Sequence, residues 1–419
     1  MIVRQFNQWV AKASAAERAE GAGLLARAFL HADMGADERD EAEIVLTALA
    51  DDVSPLVRRA LADTLAAAAG APRAIVVALA NDQSDVASPV LGRSPLLSDA
   101  DLIDCAAIGD AFAQSAIALR PVVSPAVAAA LAEVGGREAL ISLAVNSGAL
   151  IPEFSLRRMI ERWGADAELR ESLLARPDLS PAARSALVAA TAKALSALVS
   201  ERGWMAAPRM ERVVRQASDR AHVAIAAEVE GDSDWKGARE LAAHLRASGQ
   251  LTSSLMLRAV LSDNGVLFEA AMVELSDLPE RKALSLVRQR GGAGLATLFR
   301  AADLPMGLLP AFRAAACARE SLGRRETAGS ARLSRAVIAR VLQTCEALPA
   351  ERAGALLALL RRFEAEAARE DARDAAQAIA APEPGVASPT PMLFRPSTPA
   401  PRRVIEIDMT LIEAELAAA

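Results

Sequence analysis

Tyrosine is absent from the 419 residues, and aromatic residues of all kinds make up only 3%. A strand-rich core leaning on aromatic and β-branched packing is therefore disfavoured. Cysteine is confined to Cys105, Cys317 and Cys345, far apart and without a C-x-x-C pair, which excludes a disulfide framework or a zinc site. Free thiols fit a reducing compartment, so a cytoplasmic location is expected. Histidine is limited to His31, His222 and His244. With no H-E-x-x-H or other ligand spacing, no metal or other cofactor is expected. A net charge of -6 and a pI near 5.4 exclude a chain-wide attraction to nucleic acid or anionic membrane, leaving only local patches. Lysine supplies only four of the 47 basic residues, a bias most simply matched to GC-rich coding. No uncharged apolar run of about 18 residues occurs, so no membrane span is expected. The stretch Met1–Trp9 lacks an apolar signal core.

What the chain does hold is alanine, leucine and valine, within an apolar fraction of 53%. Alanine and leucine are strong helix formers and let helices approach closely, which points to an all-α fold. Self-similarity gives that fold a plan. Ala48-Leu49-Ala50-Asp51-Asp52-Val53-Ser54-Pro55-Leu56-Val57 returns thirty residues later as Ala78-Leu79-Ala80-Asn81-Asp82-Gln83-Ser84-Asp85-Val86-Ala87. The pattern reads as helix, polar turn, helix. Asp52 and Ser54 suit the turn and cap, Pro55 suits the first helical turn, and Val57, Ala60 and Leu61 form an apolar stripe. A second signature runs through Ser94-Pro95-Leu96-Leu97-Ser98, Arg120-Pro121-Val122-Val123-Ser124-Pro125 and Arg176-Pro177-Asp178-Leu179-Ser180-Pro181. In each copy proline ends one helix, an apolar residue plugs the turn and serine caps the next helix. The gap between the last two copies leaves room for a further repeat through Leu140, Leu143, Leu156 and Ile160. Units this short must stack to bury their apolar faces. The expected architecture is a HEAT-like α-solenoid, with residues 1–35 as a capping helix pair presenting Phe6, Val10, Leu24, Leu25 and Phe29.

The reading divides the chain into cap and repeats over 1–190, a less regular helical region over 191–380, a disordered Pro-rich linker over 381–403, and a short amphipathic peptide over 404–419. Helices are expected over 183–202, 206–230, 251–260 and from Pro279 toward Gly291-Gly292, followed by one through Phe312 and Cys317 and two more over 331–348 and 351–380. The linker composition cannot form a packed core. In the terminal peptide Ile405, Met409, Ile412 and Leu416 share one helical face among acidic residues. Alternation through Ile405, Ile407, Met409 and Leu411 suits a strand added to a partner sheet equally well. Either form makes this segment a candidate protein-docking peptide, against a plain frayed terminus.

The run Leu49–Leu61, the Ala71-Pro72-Arg73 turn and Arg93-Ser94-Pro95-Leu96-Leu97-Ser98 resemble a bacterial family, domain-of-unknown-function family 2336. Leu251–Val260, Phe268-Glu269-Ala270-Ala271 and Pro310-Ala311-Phe312-Arg313 resemble its C-terminal part. The resemblance spans roughly residues 20 to 320 and implies a HEAT-like helical fold. It implies no catalytic or binding residues.

Chemistry-bearing motifs are sparse. Gly291-Gly292-Ala293-Gly294 lacks the preceding strand and terminal glycine of a dinucleotide fingerprint. Ser233-Asp234-Trp235-Lys236 and Ser262-Asp263-Asn264 match two short elements of penicillin-recognising enzymes, but K-T-G and its sheet strand are missing. The basic segment 313–340 includes Arg324, Arg325, Arg332 and Arg335, a candidate phosphate-binding patch without aromatics for base stacking. The function expected is a non-enzymatic protein-interaction scaffold or adaptor with a protein partner. Nucleic-acid binding through the arginine segment is the alternative, and an enzyme with an unrecognised site is the second.

Overall fold

The computed structural model describes residues 9–10, 12–228, 233–262, 265–322, 332–347 and 350–380. Among these residues the chain is helical, with two isolated β-bridges and no strand. The all-α class expected from the alanine and leucine content is the class observed. The chain divides into two units, residues 1–369 and residues 370–419. Of the second, only the closing turns of one helix, up to Ala380, are described.

The first twelve helices are α1 (Ala15–His31), α2 (Ala36–Ala50), α3 (Pro55–Leu65), α4 (Arg73–Ala80), α5 (Ser84–Arg93), α6 (Asp99–Ile108), α7 (Ala111–Ala118), α8 (Pro125–Val134), α9 (Arg137–Val145), α10 (Glu153–Trp163), α11 (Ala167–Leu174) and α12 (Pro181–Arg202). Most run two to three turns, too short to be stable alone. Stability comes from next-but-one packing: α1, α3, α5, α7, α9 and α11 touch in succession, as do α6, α8, α10 and α12. One continuous core runs from Ala22 to Leu187.

Both repeat registers are visible in this core. Leu49 and Leu79 are buried at the ends of α2 and α4, and Val57, Leu61, Ala87 and Leu91 are buried just beyond the turns. Ser98, Ser124 and Ser180 each accept a backbone N–H from the first turn of the helix they open. Leu97, Val123 and Leu179 plug the turns before them. Helices α9 and α10 fill the expected gap, burying Leu140, Leu143, Leu156 and Ile160. Two expectations change. Ser54 makes no side-chain cap; its own N–H instead donates to Asp52 Oδ1 at 2.8 Å. Leu24 is 55% exposed on the outer side of α1, whereas Leu25 and Phe29 face the core. Phe6 lies outside the described residues.

The remaining helices are α13 (Ala207–Ala227), α14 (Ser233–Ala247), α15 (Ser253–Leu261), α16 (Val266–Ser276), α17 (Glu280–Val287), α18 (Leu295–Ala301), α19 (Leu309–Leu322), α20 (Arg335–Glu346) and α21 (Ala350–Ala380). They enclose a second core from Val223 to Ala367. At its centre α15 is buried without interruption from Leu255 to Leu261. Phe312 stacks on Phe268 at 5.5 Å between ring centroids and meets Phe299 edge-on at 5.2 Å. Helix α12 is also long and apolar enough, by length and composition, to cross a membrane, with a mean hydropathy of 1.3 over its most apolar window. Arg184 and Lys193 interrupt it, so it holds no uncharged run of about 18 residues.

Candidate functional site

The turns of the first core are where side chains become available. Two sets of turns alternate along the chain, and each is tied to its neighbour by a recurring contact. In the first set, the residue after an odd-numbered helix reaches back one repeat to cap carbonyls left open at a helix end. Arg120, after α7, donates to Ser94 O at 2.7 Å and to Leu91 O. Asn146, after α9, donates to Ala118 O at 2.8 Å and Arg120 O at 2.7 Å. Arg176, after α11, donates to Asn146 O and Ala149 O, both at 2.9 Å. Arg176 is 7% exposed, and its charge is balanced by a two-pronged contact to Asp178 at 2.9 and 2.7 Å. That guanidinium holds the Asp178 carboxyl below the ordinary range. The arginine that opens the Arg-Pro signature is thus an inter-repeat cap.

In the second set, a residue at or near the start of an odd-numbered helix holds the turn before the next one. Arg18 pairs with Asp52 at 2.7 Å, Arg58 with Asp82 at 2.9 Å, and Arg137 with Asp166 at 2.8 Å. Between them, the Ser84 side chain lies beside Asp110 and helps hold its carboxyl below the ordinary range, and Gln114 Oε1 accepts Gly136 N–H at 2.9 Å. Asp52 and Asp82 are held below the ordinary carboxylate range chiefly by these arginines.

With these polar groups engaged in the repeat, the turns still present apolar side chains. The α7–α8 and α9–α10 turns pair through a parallel bridge: Val123 N–H donates to Gly148 O at 3.2 Å, and Leu150 N–H to Val123 O at 3.0 Å. A Cβ at Gly148 would run into the Pro121 carbonyl, so glycine permits the close approach. Extended backbone points successive side chains to opposite sides. Val123 and Ile151 therefore plug the core, while Val122 and Leu150 point out. Leu119 (62% exposed), Val122 (67%), Val145 (66%), Leu150 (58%) and Phe154 (59%) are large apolar residues on or beside these two adjoining turns. Sequence reasoning saw the plug and missed its outward partner. The doubled apolar pairs Val122-Val123 and Leu150-Ile151 were the available signal.

Two other features carry polar chemistry. A cleft of about 570 Å³ lies along α19 and α20, lined by Leu309, Pro310, Arg313, Cys317, Arg340 and Thr344 among others. In the second core, His222 is 1% exposed and neither ring nitrogen has a hydrogen-bond partner. Burial pushes its imidazole down to about 4, and His244 acts in the same direction. Asp219, one helical turn earlier, accepts the Ser254 hydroxyl at 2.9 Å, and burial pushes its carboxyl up. Buried Arg258 pairs with Glu366, which also takes Arg220. Burial raises the Glu366 carboxyl, but the two arginines outweigh it and the net shift is downward.

Of the basic residues singled out from sequence, Arg332 and Arg335 are exposed just before and at the start of α20. Arg324 and Arg325 lie outside the described residues, as do the linker 381–403 and the peptide residues Ile405, Met409, Ile412 and Leu416. No group of three or more His, Cys, Asp or Glu placed to hold a metal ion occurs among the described residues.

No curated protein and no solved structure matches the chain. A family model, described as an uncharacterised protein conserved in bacteria, matches residues 86–351. That stretch takes in Arg93–Ser98, Leu251–Val260, Phe268–Ala271 and Pro310–Arg313. It starts later than the resemblance suggested, leaving Leu49–Leu61 and Ala71–Arg73 outside, and runs further toward the C-terminus. With more than half of its length covered, from within α5 to the start of α21, the chain belongs to this bacterial family, DUF2336.

Proposed function

We propose that the chain is a non-enzymatic interaction scaffold or adaptor: a cytoplasmic α-solenoid of HEAT-like repeats whose partner is a protein. The observation that carries this reading is the set of five exposed apolar residues on or beside two bridged turns, Leu119, Val122, Val145, Leu150 and Phe154. Their positions are fixed from behind by the Arg120, Asn146 and Arg176 caps, so little ordering entropy is lost when a partner covers them. Full burial of such a side chain contributes about 1.5–3 kcal/mol. Half burial of the group contributes roughly 5 kcal/mol before association costs, which suits a transient complex rather than a permanent one.

The test is affinity purification with the full chain and with Val122→Asp/Leu150→Asp. Both positions point outward, so the helical circular dichroism signal and unfolding midpoint are expected to stay unchanged while specific partners are lost. Recovery of the same partners by the variant would end the reading. Residues 404–416 are proposed as a second docking element. Truncation after residue 380 is expected to lose a distinct subset of partners, and unchanged recovery would remove this element.

The arginine segment supports a second reading, nucleic-acid binding. Arg332 and Arg335 are exposed at the start of α20, and Arg313 and Arg340 line the adjacent cleft. Phosphate contacts make such binding steeply salt-dependent. A filter-binding titration showing no affinity at low salt would exclude it.

A further inference from the structure

Helices α12 and α13 outgrow the repeat. They run 22 and 21 residues, against 8 to 11 for the repeat helices α3 to α11. Their far ends are anchored: Ala183, Ser185 and Leu187 are buried at one base, and Asp219, His222, Val223, Ile225 and Ala226 at the other. Between them, no residue from 188 to 218 is buried. The two helices pack on each other along this stretch, with Ser200 Oγ 3.7 Å from Met210 Sδ. At 1.5 Å per residue the arm projects about 20 Å past its anchored base.

The arm has an unusual surface. Its tip reads Gly203-Trp204-Met205-Ala206-Ala207-Pro208, with Gly203 at φ 63° turning the chain. Trp204 is 68% exposed, against 42% for Trp9, while Trp163 and Trp235 are half-buried. The Arg202 guanidinium sits 5.9 Å from the Trp204 ring centroid. Over residues 188–218, Lys193, Arg202, Arg209, Arg212 and Arg215 outnumber Glu201 and Glu211, a local charge of +3 in a chain of -6. From Ser185 to Ser200 the only charged residue of α12 is Lys193. Leu195 and Leu198 are 52% and 41% exposed. Helix α12 packs on α10 and α14 as well as α13, yet its uncharged flank at Leu195 and Leu198 stays largely open.

We propose that this arm docks on an anionic lipid surface, with Trp204 and Met205 entering the headgroup region and the arginines meeting lipid phosphates. The occupant follows from the combination. Tryptophan is favoured at a membrane interface because its ring is apolar and its N–H polar. Basic residues behind an apolar tip add attraction to anionic headgroups. A soluble acidic protein would satisfy the arginines and leave Trp204 and the uncharged flank of α12 in water. The arm does not span the bilayer in this arrangement, because Ala183–Leu187 and Val223–Ala226 remain in the protein cores. The proposal is independent of the protein-scaffold reading.

The test uses the full chain and flotation with vesicles of equal parts phosphatidylglycerol and phosphatidylcholine, beside vesicles of phosphatidylcholine alone. Binding is expected on the anionic vesicles at low salt and not on the neutral ones. Trp204→Glu is expected to lower the bound fraction about tenfold, and Arg209→Glu/Arg212→Glu to reduce both binding and its salt dependence. Brominated lipid is expected to quench part of the tryptophan emission, a part lost in Trp204→Phe. All these positions are exposed, so circular dichroism is expected to show unchanged helix content. No flotation at low salt would overturn the proposal, as would equal flotation of Trp204→Glu. A concentration-dependent dimer in sedimentation, abolished by Trp204→Glu and unaccompanied by vesicle binding, would overturn it in favour of a second copy as the occupant.

Discussion

The two cores solve the same packing problem in different ways. The first, Ala22 to Leu187, is held by local ties repeated from turn to turn: Arg120, Asn146 and Arg176 on one set, Arg18, Arg58 and Arg137 on the other. Every one of these ties spans fewer than 40 residues. The second, Val223 to Ala367, is organised around one buried helix, an aromatic trio and contacts between distant segments. Arg220 and Arg258 both reach Glu366, 146 and 108 residues away. Local ties can be written as a short motif and copied. Distant contacts cannot, which is why the repeat fades after residue 190.

The comparison can be broken most forcefully at Phe312. Phe312→Ala removes both ring contacts and leaves a cavity, at an expected cost of about 3–5 kcal/mol. Hydrogen exchange resolved by segment should show lost protection from 253 to 345 and near-native protection from 55 to 163. Equal loss in both segments would mean that the cores unfold as one.

His222 sharpens the contrast through pH. Its folded pKa, depressed by burial to about 4, lies below the ordinary 6.5, so the folded state favours the neutral ring. The stability it contributes is fully present above pH 6.5 and is lost as pH falls from 6.5 toward 4. The full loss is on the order of 3 kcal/mol. His222→Leu should flatten that fall, followed by denaturant midpoints between pH 4 and 7. A parallel fall in wild type and variant would refute the assignment.

In the first core the largest single effect is expected at Arg176, whose loss leaves open the buried carbonyls of Ala144 and Ala149 and the half-buried one of Asn146. Arg176→Leu should cost about 2–3 kcal/mol. The cost should fall between α9 and α12, read as local exchange. Gly148→Ala should part the bridge between the α7–α8 and α9–α10 turns, since the new Cβ meets Pro121 O. The smallest effect is expected at the serine caps. Ser124→Ala removes the cap that accepts Val127 N–H and the hydroxyl's own exposed bond to Asp99, at about 1 kcal/mol. A neutral result at Arg176 alongside a large one at Ser124 would reverse the ranking of ties.

Helix class, the Pro-apolar-Ser turns and the plugs Leu97, Val123 and Leu179 were legible because each is a local pattern with a local cause. The same turns hid their second content. Arg120 and Arg176 stood in the signature without a role, since a side chain reaching a carbonyl one repeat back leaves no trace in spacing along its own helix. Val122 and Leu150 were not singled out, because periodicity marks apolar residues without saying which way an extended turn aims them. The aromatic trio was spread over Phe268, Phe299 and Phe312 on three helices, and nothing in sequence brought those positions together. Nothing in the sequence set His222 apart from His31 and His244, since its burial depends on the packing of other helices.

The central claim is that the bridged turns carry a partner surface supported by inter-repeat caps. Hydrogen exchange on the chain alone and with a co-purified protein partner tests it most directly. Added protection is expected at 119–124 and 146–154, with little change along the opposite turns at 109–111 and 135–137. Protection confined to 313–347, with the bridged turns unchanged, would contradict the claim and move the site to the arginine segment.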